Sequence, residues 1–392
     1  LKRAREIIYT IIGDDPPVHR LMSCCKWGPG STNSVKKREG LVKKLSEITT
    51  VTSQAKIWLD LLRLQDRHWF HAMNGIFPDG DFCWLDSCSR ITDYNVMEFV
   101  PKNFKIDRPI AKEPTANAIL QQGPHAVLRS KMKLYGINLD DQEINQDLAR
   151  RAFAERLATI DLSSASDTVS YELVRFLFPE RWFNLLDDLR SPATLYNGEV
   201  IALEKFSSMG NATTFEIETL IFFSVCQAVE QEYTDFRVSV YGDDIIVTQT
   251  AFPRVLEILS DIGFVPNMDK SFGSGNFYES CGKHYFGGVD VTPVYQKERA
   301  VEPIELIRFH NRLYRWDAFL TRKARKYLRD LWPYAKVPQV PAFSQRDDGF
   351  WADKRAFATD RNHGYKCLVY SDSPKLKTFG ARSLLAYKLR RP

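Results

Sequence analysis

At 392 residues with 44% apolar side chains, the chain is long enough for two or three subdomains with real cores and too apolar to be a disordered chain. Its 54 Lys and Arg against 49 Asp and Glu leave a net charge of +5, which names no partner, so only the placement of charge is informative. Seven cysteines without regular spacing argue against a disulfide framework and for a reducing compartment, and no run of about 18 apolar residues offers a membrane span, so a soluble protein is expected.

The chain starts on Leu1, and "LKRAREIIYTII" reads as mid-helix with basic flanks rather than as a leader with a cleavage site, so the amino end is expected to be incomplete. Lys36, Lys37, Arg38, Lys43 and Lys44 cluster between the loop-like "KWGPGSTNS" and the helical pattern "SQAKIWLDLLRLQDRHWF". From Val96 to Pro114 the prolines at 101, 109 and 114 keep the chain extended, and basic residues punctuate it. "LATID" is then a short apolar strand ending on Asp161, followed by "LSSASD" and an amphipathic helix from Val169 to Phe178 that Pro179 stops.

"TLYNGEVIAL" reads as a hairpin, and "KFSSMGNATTFEIETLIFFSV" as a Gly-Asn loop leading into a long, largely apolar core helix. "FRVSVYGDDIIVT" reads as two strands joined at Gly242-Asp243, a dipeptide suited to a tight hairpin. The helix "PRVLEILSDIG" follows, then a loop with Lys270 and a further hairpin in "ESCGKHYFGGVDVTPVY". Cys281 and His284 are half of a metal site at most, and without a second pair nearby the thiols read as free. Beyond about Val301 the chain is helical and aromatic up to Trp332, with eight Lys or Arg from Arg308 to Arg329; after Asp372 come Lys375, Lys377, Arg382, Lys388, Arg390 and Arg391 without an acid. A polyanion suits these patches, as does a solvated helix face. The order of elements predicts an α+β fold with an antiparallel sheet and no dinucleotide-binding crossover pattern.

The chemistry is concentrated in carboxylates. Two of them about 4 Å apart repel by roughly 4 kcal/mol at an effective dielectric of about 20, so Asp243 and Asp244, set in a strand-forming run, need a positive partner. Asp161 ends a different strand. If those strands are neighbours, three carboxylates meet where a hard cation such as Mg²⁺ relieves the repulsion, and a pair of such ions serves in-line displacement at phosphorus. "GDD" alone is equally a plain hairpin turn; its company gives it force.

That company is "VPKNFKIDRPIAKEP", "ATIDLSSASDTVS", "SSMGNATTFEIETLIF", "VYGDDII" and "ESCGKHYFGGVDVTPVY", in this order between about residues 96 and 296. Together they resemble the replicase beta subunit of the small RNA bacteriophages, the leviviruses. The resemblance implies a right-hand polymerase with fingers over residues 1–156, a palm over 157–298 whose antiparallel sheet carries the GDD hairpin, and a thumb and basic tail over 299–392. It implies RNA-directed RNA synthesis, copying a viral genome by nucleotidyl transfer from ribonucleoside triphosphates. Two Mg²⁺ ions, replaceable by Mn²⁺, are then held by Asp161, Asp243 and Asp244.

By the same resemblance Lys102, Lys105 and Arg108 grip the incoming triphosphate, and an extended strand with spaced cations has the physical means to do so. Asp167 and Asn211 read the ribose 2′-hydroxyl, although Asp167 stands one position further from Asp161 than is common in other RNA polymerases, and either residue also suits a helix cap. Ser207 and Ser208 donate to phosphate or sugar oxygens, Gly210 permits a backbone turn near substrate, and Lys270 protonates departing pyrophosphate. Tyr241 reads as a packed aromatic or a contact to the primer end. Implied partners are RNA template and product and, in the bacterial host cytoplasm, elongation factors Tu and Ts and ribosomal protein S1. Two other readings compete. A reverse transcriptase shares the palm but prefers deoxynucleotides, and a non-catalytic RNA-binding protein uses the basic patches without needing three acids.

Overall fold

The computed structural model describes residues 1–28, 30–36, 44, 48–66, 89–102, 106–230, 232–235, 237–295, 302–344, 347–359 and 364–370. The chain begins with α1 (Lys2–Ile12) and α2 (Val18–Cys24), then β1 (Thr49–Val51), α3 (Lys56–Gln65), β2 (Ser89–Ile91), β3 (Tyr94–Pro101) and β4 (Asp107–Lys112). Helices α4 (Thr115–Leu120), α5 (Gln122–Leu134) and α6 (Glu143–Glu155) precede β5 (Leu157–Ile160), β6 (Leu162–Ser163), α7 (Ala165–Thr168), α8 (Tyr171–Leu177) and α9 (Glu180–Leu189). Next come β7 (Ala193–Tyr196), β8 (Glu199–Ala202), α10 (Thr214–Glu230), β9 (Val238–Tyr241), β10 (Asp244–Thr248), α11 (Phe252–Asp261), β11 (Val265–Pro266), β12 (Phe277–Ser280), β13 (Lys283–Phe286) and β14 (Val289–Asp290). The last described elements are α12 (Pro303–Trp316), α13 (Arg322–Asp330), β15 (Gln339–Pro341) and β16 (Phe350–Ala352). Two compact units result: Leu1–Phe99 with Pro109–Thr292, and Val100–Arg108 with Pro293–Thr378.

In the first unit β10 lies between β5 and β9, antiparallel to both. Its successive side chains serve opposite faces, as the two-residue period of a strand requires. Ile245 and Val247 join the main core, while Ile246 joins a second cluster with Leu157, Tyr278, Tyr285 and Ala149 and Ala152 of α6. All of β5 is buried. A strand buried on both faces cannot alternate apolar with polar, which is why "LATI" and "IIV" read as unbroken apolar runs. Helix α10 is apolar nearly all round and accordingly buries Ile217, Leu220, Ile221, Phe222, Val225, Cys226 and Val229.

Several expectations need correcting. The β5–β10–β9 sheet is antiparallel, but parallel pairs that the sequence did not suggest occur elsewhere: β3 with β7, β1 with β2, and β15 with β16. Hairpin spacing fixes direction only between strands joined by a turn, and these partners are not joined by one. The helix expected from Val169 starts at Tyr171, because the Ser170 hydroxyl accepts the Leu173 N–H at 3.2 Å and caps it. Lys44 is buried, donating to the Gly28 carbonyl at 2.8 Å and also to that of Gly30, so it pins the "KWGPGSTNS" loop instead of presenting charge. Lys37, Arg38, Lys43 and the basic tail lie outside the described residues.

In the second unit α12 and α13 share a core of Leu306, Ile307, Leu328, Trp332 and Phe350. Asn311 ties that core to β16: its Nδ2 donates to the Gly349 carbonyl at 3.0 Å and to Asp347 Oδ1 at 3.1 Å, and its Oδ1 accepts the Trp351 N–H at 2.8 Å. Of the basic run, Arg325 is turned inward, its guanidinium 4.4 Å from the Tyr314 ring centre, whereas Arg322, Lys323 and Lys326 are exposed. Tyr314 is thus a packing residue, while Phe319 and Tyr327 are 82% and 64% exposed.

Burial drives the pKa of His310 from the ordinary 6.5 down to about 4, with Arg325 and Arg329 adding to the shift. The unfolded chain takes up a proton that the fold refuses, so the stability this histidine contributes is complete above its ordinary pKa and is lost as pH falls toward the depressed one. The protection factors of the Phe350–Ala352 amides, taken relative to intrinsic exchange at each pH, are therefore expected to fall between about pH 6.5 and about pH 5, and His310→Gln to flatten the change. Equal pH dependence in both proteins would show that His310 does not set it.

Candidate active site

Ile160 of β5 stands opposite Ile245 of β10, so the next residue, Asp161, falls across from Asp244 at the strand end. Asp243 occupies the two-residue link between β10 and β9, where Tyr241 pairs with Asp244. Three aspartates from two distant stretches of sequence therefore share one edge. The Asp161 N–H donates to Ser271 Oγ at 3.1 Å, and its Oδ2 accepts from Asn267 Nδ2 at 2.9 Å. Asp244 Oδ1 accepts the Cys281 N–H at 2.8 Å and the Ser280 hydroxyl at 3.2 Å. Its main-chain carbonyl accepts from Asn145 Nδ2 at 3.0 Å.

The link demands glycine twice over. Gly242 has φ +62°, and a Cβ there would lie 2.2 Å from the Phe215 ring. Its N–H donates to Thr219 Oγ1 at 3.0 Å, and Phe215 meets Tyr241 edge-on with ring centres 5.1 Å apart. Tyr241 is a packed aromatic.

The electrostatics are those of crowded acids. Burial pushes the Asp244 carboxyl up to about 6, the charges of Asp243 and Asp161 add to the rise, and the donors on Cys281 and Ser280 oppose it. Burial pushes Glu218 of α10 up to about 9, with Asp243, Glu216 and Asp167 contributing. An all-carboxylate donor set in such a field fits a hard, oxygen-seeking divalent cation. Among the described residues no three His, Cys, Asp or Glu side chains are placed to ligate one common ion. The fold brings the aspartates to one edge without closing a coordination shell.

Beside this edge lies the loop before α10. Gly210, at φ +121°, needs its missing Cβ because one would meet the Ala111 carbonyl oxygen at 2.1 Å. The Ala111 N–H donates to the Met209 carbonyl at 2.7 Å, so packing against β4 accounts for this glycine. Asn211 Oδ1 accepts the Thr213 N–H at 2.9 Å and the Thr213 hydroxyl at 2.8 Å, fastening the entry to α10. Ser208 is buried, and its carbonyl accepts the Thr214 hydroxyl at 3.0 Å. Ser207 Oγ is 2.9 Å from Thr214 Oγ1.

Asp167 is no helix cap: Ser170 fills that role, and Asp167 Oδ1 accepts from Lys205 Nζ at 2.6 Å. Lys270 is exposed on a turn in which its N–H donates to the Asn267 carbonyl. Lys102 and Arg108 belong to the second unit, and Lys105 lies outside the described residues. His284 Nε2 is 3.2 Å from Glu279 Oε1 rather than part of a Cys-His metal pair. Sequence reasoning missed Lys205, whose only signal was a basic residue directly before "FSSMGN". It also missed Glu216, fully buried, which accepts from Arg129 Nε at 2.8 Å and lies 3.1 Å from His125 Nδ1, bracing α10 against α5.

A family model described as RNA replicase, beta-chain, matches residues 1–321. The chain is 40% identical over 318 residues to the RNA-directed RNA polymerase subunit beta of Escherichia virus Qbeta, covering 80% of this chain and 51% of that protein. It is 42% identical over 276 residues to the RNA-directed RNA polymerase beta chain of Escherichia phage MS2, covering 70% and 49%. The chain thus spans about half the length of the curated relatives it matches. Among solved structures, the RNA-dependent RNA polymerase of a human picorbirnavirus is similar at a TM-score of 0.45 and 15% identity, over 60% of this chain and 55% of that one.

Two outcomes are expected from this geometry. Gly242→Ala should destabilise the protein by about 1–2 kcal/mol for the left-handed backbone alone, and more for displacing Phe215, measured by urea unfolding; a smaller loss would mean that the turn relaxes freely. Glu218 has a raised pKa, so the stability it contributes is full below its ordinary pKa of 4.5 and is lost as pH rises toward about 9. In a chelator, Glu218→Gln should therefore lose less stability than the parent between about pH 5 and about pH 8, and matching slopes would contradict the assignment.

Proposed function

This chain belongs to the RNA replicase beta-chain family, and on that footing we propose that it is an RNA-directed RNA polymerase that copies a viral genome from ribonucleoside triphosphates. One observation carries the reading: the β5–β10 register sets Asp161 across from Asp244, with Asp243 in the adjoining turn. In this proposal the β5–β10–β9 sheet is the centre of a palm over 157–298, preceded by fingers and followed by a thumb and basic tail.

Asp161, Asp243 and Asp244 would hold two Mg²⁺ ions, with Mn²⁺ as a substitute. Bound there, the ions would activate the attacking 3′-hydroxyl and neutralise charge on the transferred phosphate and departing pyrophosphate. The remaining residues bind, orient or supply protons. Asn211 has its Oδ1 engaged at the helix entry, so its amide Nδ2 is the group assigned to the ribose 2′-hydroxyl. Asp167, steadied by Lys205, is the second ribose-facing group. Ser208 and Gly210 shape the sugar-side loop, and Lys102, Lys105 and Arg108 grip the triphosphate. Lys270, exposed on its turn, donates a proton to pyrophosphate. Exposed Arg322, Lys323 and Lys326 of α13 lie along RNA, neutralising phosphates. Work in the bacterial host cytoplasm with elongation factors Tu and Ts and ribosomal protein S1 completes the proposal. Among the described residues no helix is long and apolar enough to cross a membrane.

The test is primer or de novo extension on a defined RNA template, with ribonucleotides or deoxynucleotides and with or without Mg²⁺. Ribonucleotide incorporation that requires Mg²⁺ is expected. Asp243→Asn should abolish synthesis while RNA retention stays at the parental level. Preference for deoxynucleotides would point to a reverse transcriptase, RNA retention without synthesis to a binding protein, and undiminished synthesis by Asp243→Asn would remove that residue from the site.

A further inference from the structure

Ser280, Cys281 and Asn145 converge on Asp244, and Gln146 holds Cys281 in turn. The turn between β12 and β13 directs two donors, the Cys281 N–H at 2.8 Å and the Ser280 hydroxyl at 3.2 Å, onto the same carboxylate oxygen, Oδ1. No hydrogen bond among the described residues engages the other oxygen, Oδ2. The Ser280 hydroxyl is buried, the residue being 1% exposed, and it also lies 3.8 Å from the Cys281 sulfur.

The turn itself is conformationally demanding. Cys281 and Gly282 both take positive φ, +48° and +70°, the pattern of a tight hairpin turn that favours Asn or Gly at the position occupied by Cys281. Hydrogen bonds hold Cys281 on both sides. Its N–H goes to Asp244, and its carbonyl accepts from Gln146 Nε2 of α6 at 3.0 Å. The neighbouring residue on the same helix, Asn145, donates to the main-chain carbonyl of Asp244 and accepts from Ser239 Oγ of β9 at 2.6 Å. Backbone and side chain of one aspartate are thereby both referenced to the first turns of α6.

We propose that the Ser280–Cys281 turn, braced by Gln146, is a positioning device that fixes the rotation of the Asp244 carboxylate and so determines which of its oxygens meets a divalent cation. The proposal rests on the polymerase reading of the aspartates. A carboxylate free to rotate spends part of its time with the wrong lone pairs toward the ion, and an outer partner that stops the rotation strengthens ligation without touching substrate.

The test compares the parent with Ser280→Ala, Ser280→Thr and Gln146→Leu in two measurements. The first is Mn²⁺ binding by electron paramagnetic resonance, without RNA or nucleotide; the second is steady-state ribonucleotide incorporation. Ser280→Ala should weaken Mn²⁺ binding and lower kcat by about 10-fold, with the nucleotide KM unchanged, and Ser280→Thr should restore both. Gln146→Leu frees the Cys281 carbonyl without altering any atom in contact with Asp244 and should move both readings in the same direction. It also carries the test if Ser280→Ala proves unstable. Parental Mn²⁺ binding in both Ser280→Ala and Gln146→Leu would overturn the proposal, as would a Ser280→Thr variant as impaired as Ser280→Ala. Failure of the parent to polymerise would instead count against the functional reading, and the Mn²⁺ series would still decide on the positioning role.

Discussion

Acidic side chains gathered at the end of a buried sheet repel one another, and the surrounding structure answers that repulsion acid by acid. Glu216 is met by the Arg129 guanidinium and Asp167 by the Lys205 ammonium. Asp161 receives the Asn267 amide, and Asp244 receives a main-chain N–H and a hydroxyl. Glu218, with its carboxyl pushed up to about 9, is met by a proton instead. The neutral donors around Asp161 and Asp244 orient their carboxylates without cancelling their charge, which is the condition a divalent cation needs.

The same division explains the layout of the first unit. The cationic partners of Glu216 and Asp167 come from α5 and from just ahead of the loop before α10, while Asp161 and Asp244 are furnished with amide, hydroxyl and main-chain groups. A full ion pair at Asp244 would neutralise the carboxylate, which the amide and hydroxyl donors leave charged. Burial on both faces of β10 then holds the edge still, since Ile245, Ile246 and Val247 belong to two separate cores on opposite sides.

How much of this was legible beforehand depended on whether the signal was local. The strand ending on Asp161, the Gly242-Asp243 link and the apolar α10 were readable because turn chemistry and unbroken apolar runs are written in consecutive residues. The convergence of Asp161 with Asp244 was only conditional, because pairing between β5 and β10 is set by packing of both faces and not by any turn. The parallel pairing of β3 with β7 left no trace for the same reason. Lys44 looked like part of a basic cluster since nothing in the sequence marks a lysine that will be drawn inward by two carbonyls. Asn211 and Gly210 stood out for a substrate role, while their contacts to Thr213 and to the backbone of β4 carried no signal in the sequence, since both depend on how the loop packs. Cys281 stood out only as a thiol, and Ser280 and Gln146 not as single residues, because what matters is the carboxylate that Ser280 and Cys281 reach and the carbonyl that Gln146 holds.

Helix α10 has a mechanical consequence. Phe215, Glu218 and Thr219, spaced at one helical turn, place the ring over Gly242, the acid in the field of Asp243 and the hydroxyl under the Gly242 N–H. The entry to the same helix is fastened by Asn211. The loop before α10 and the aspartate turn are thus mounted on one helix: Asn211 holds its entry through Thr213, and Phe215 in the first turn and Thr219 in the second hold Gly242, so the spacing between loop and turn is set by the rise of a single rod.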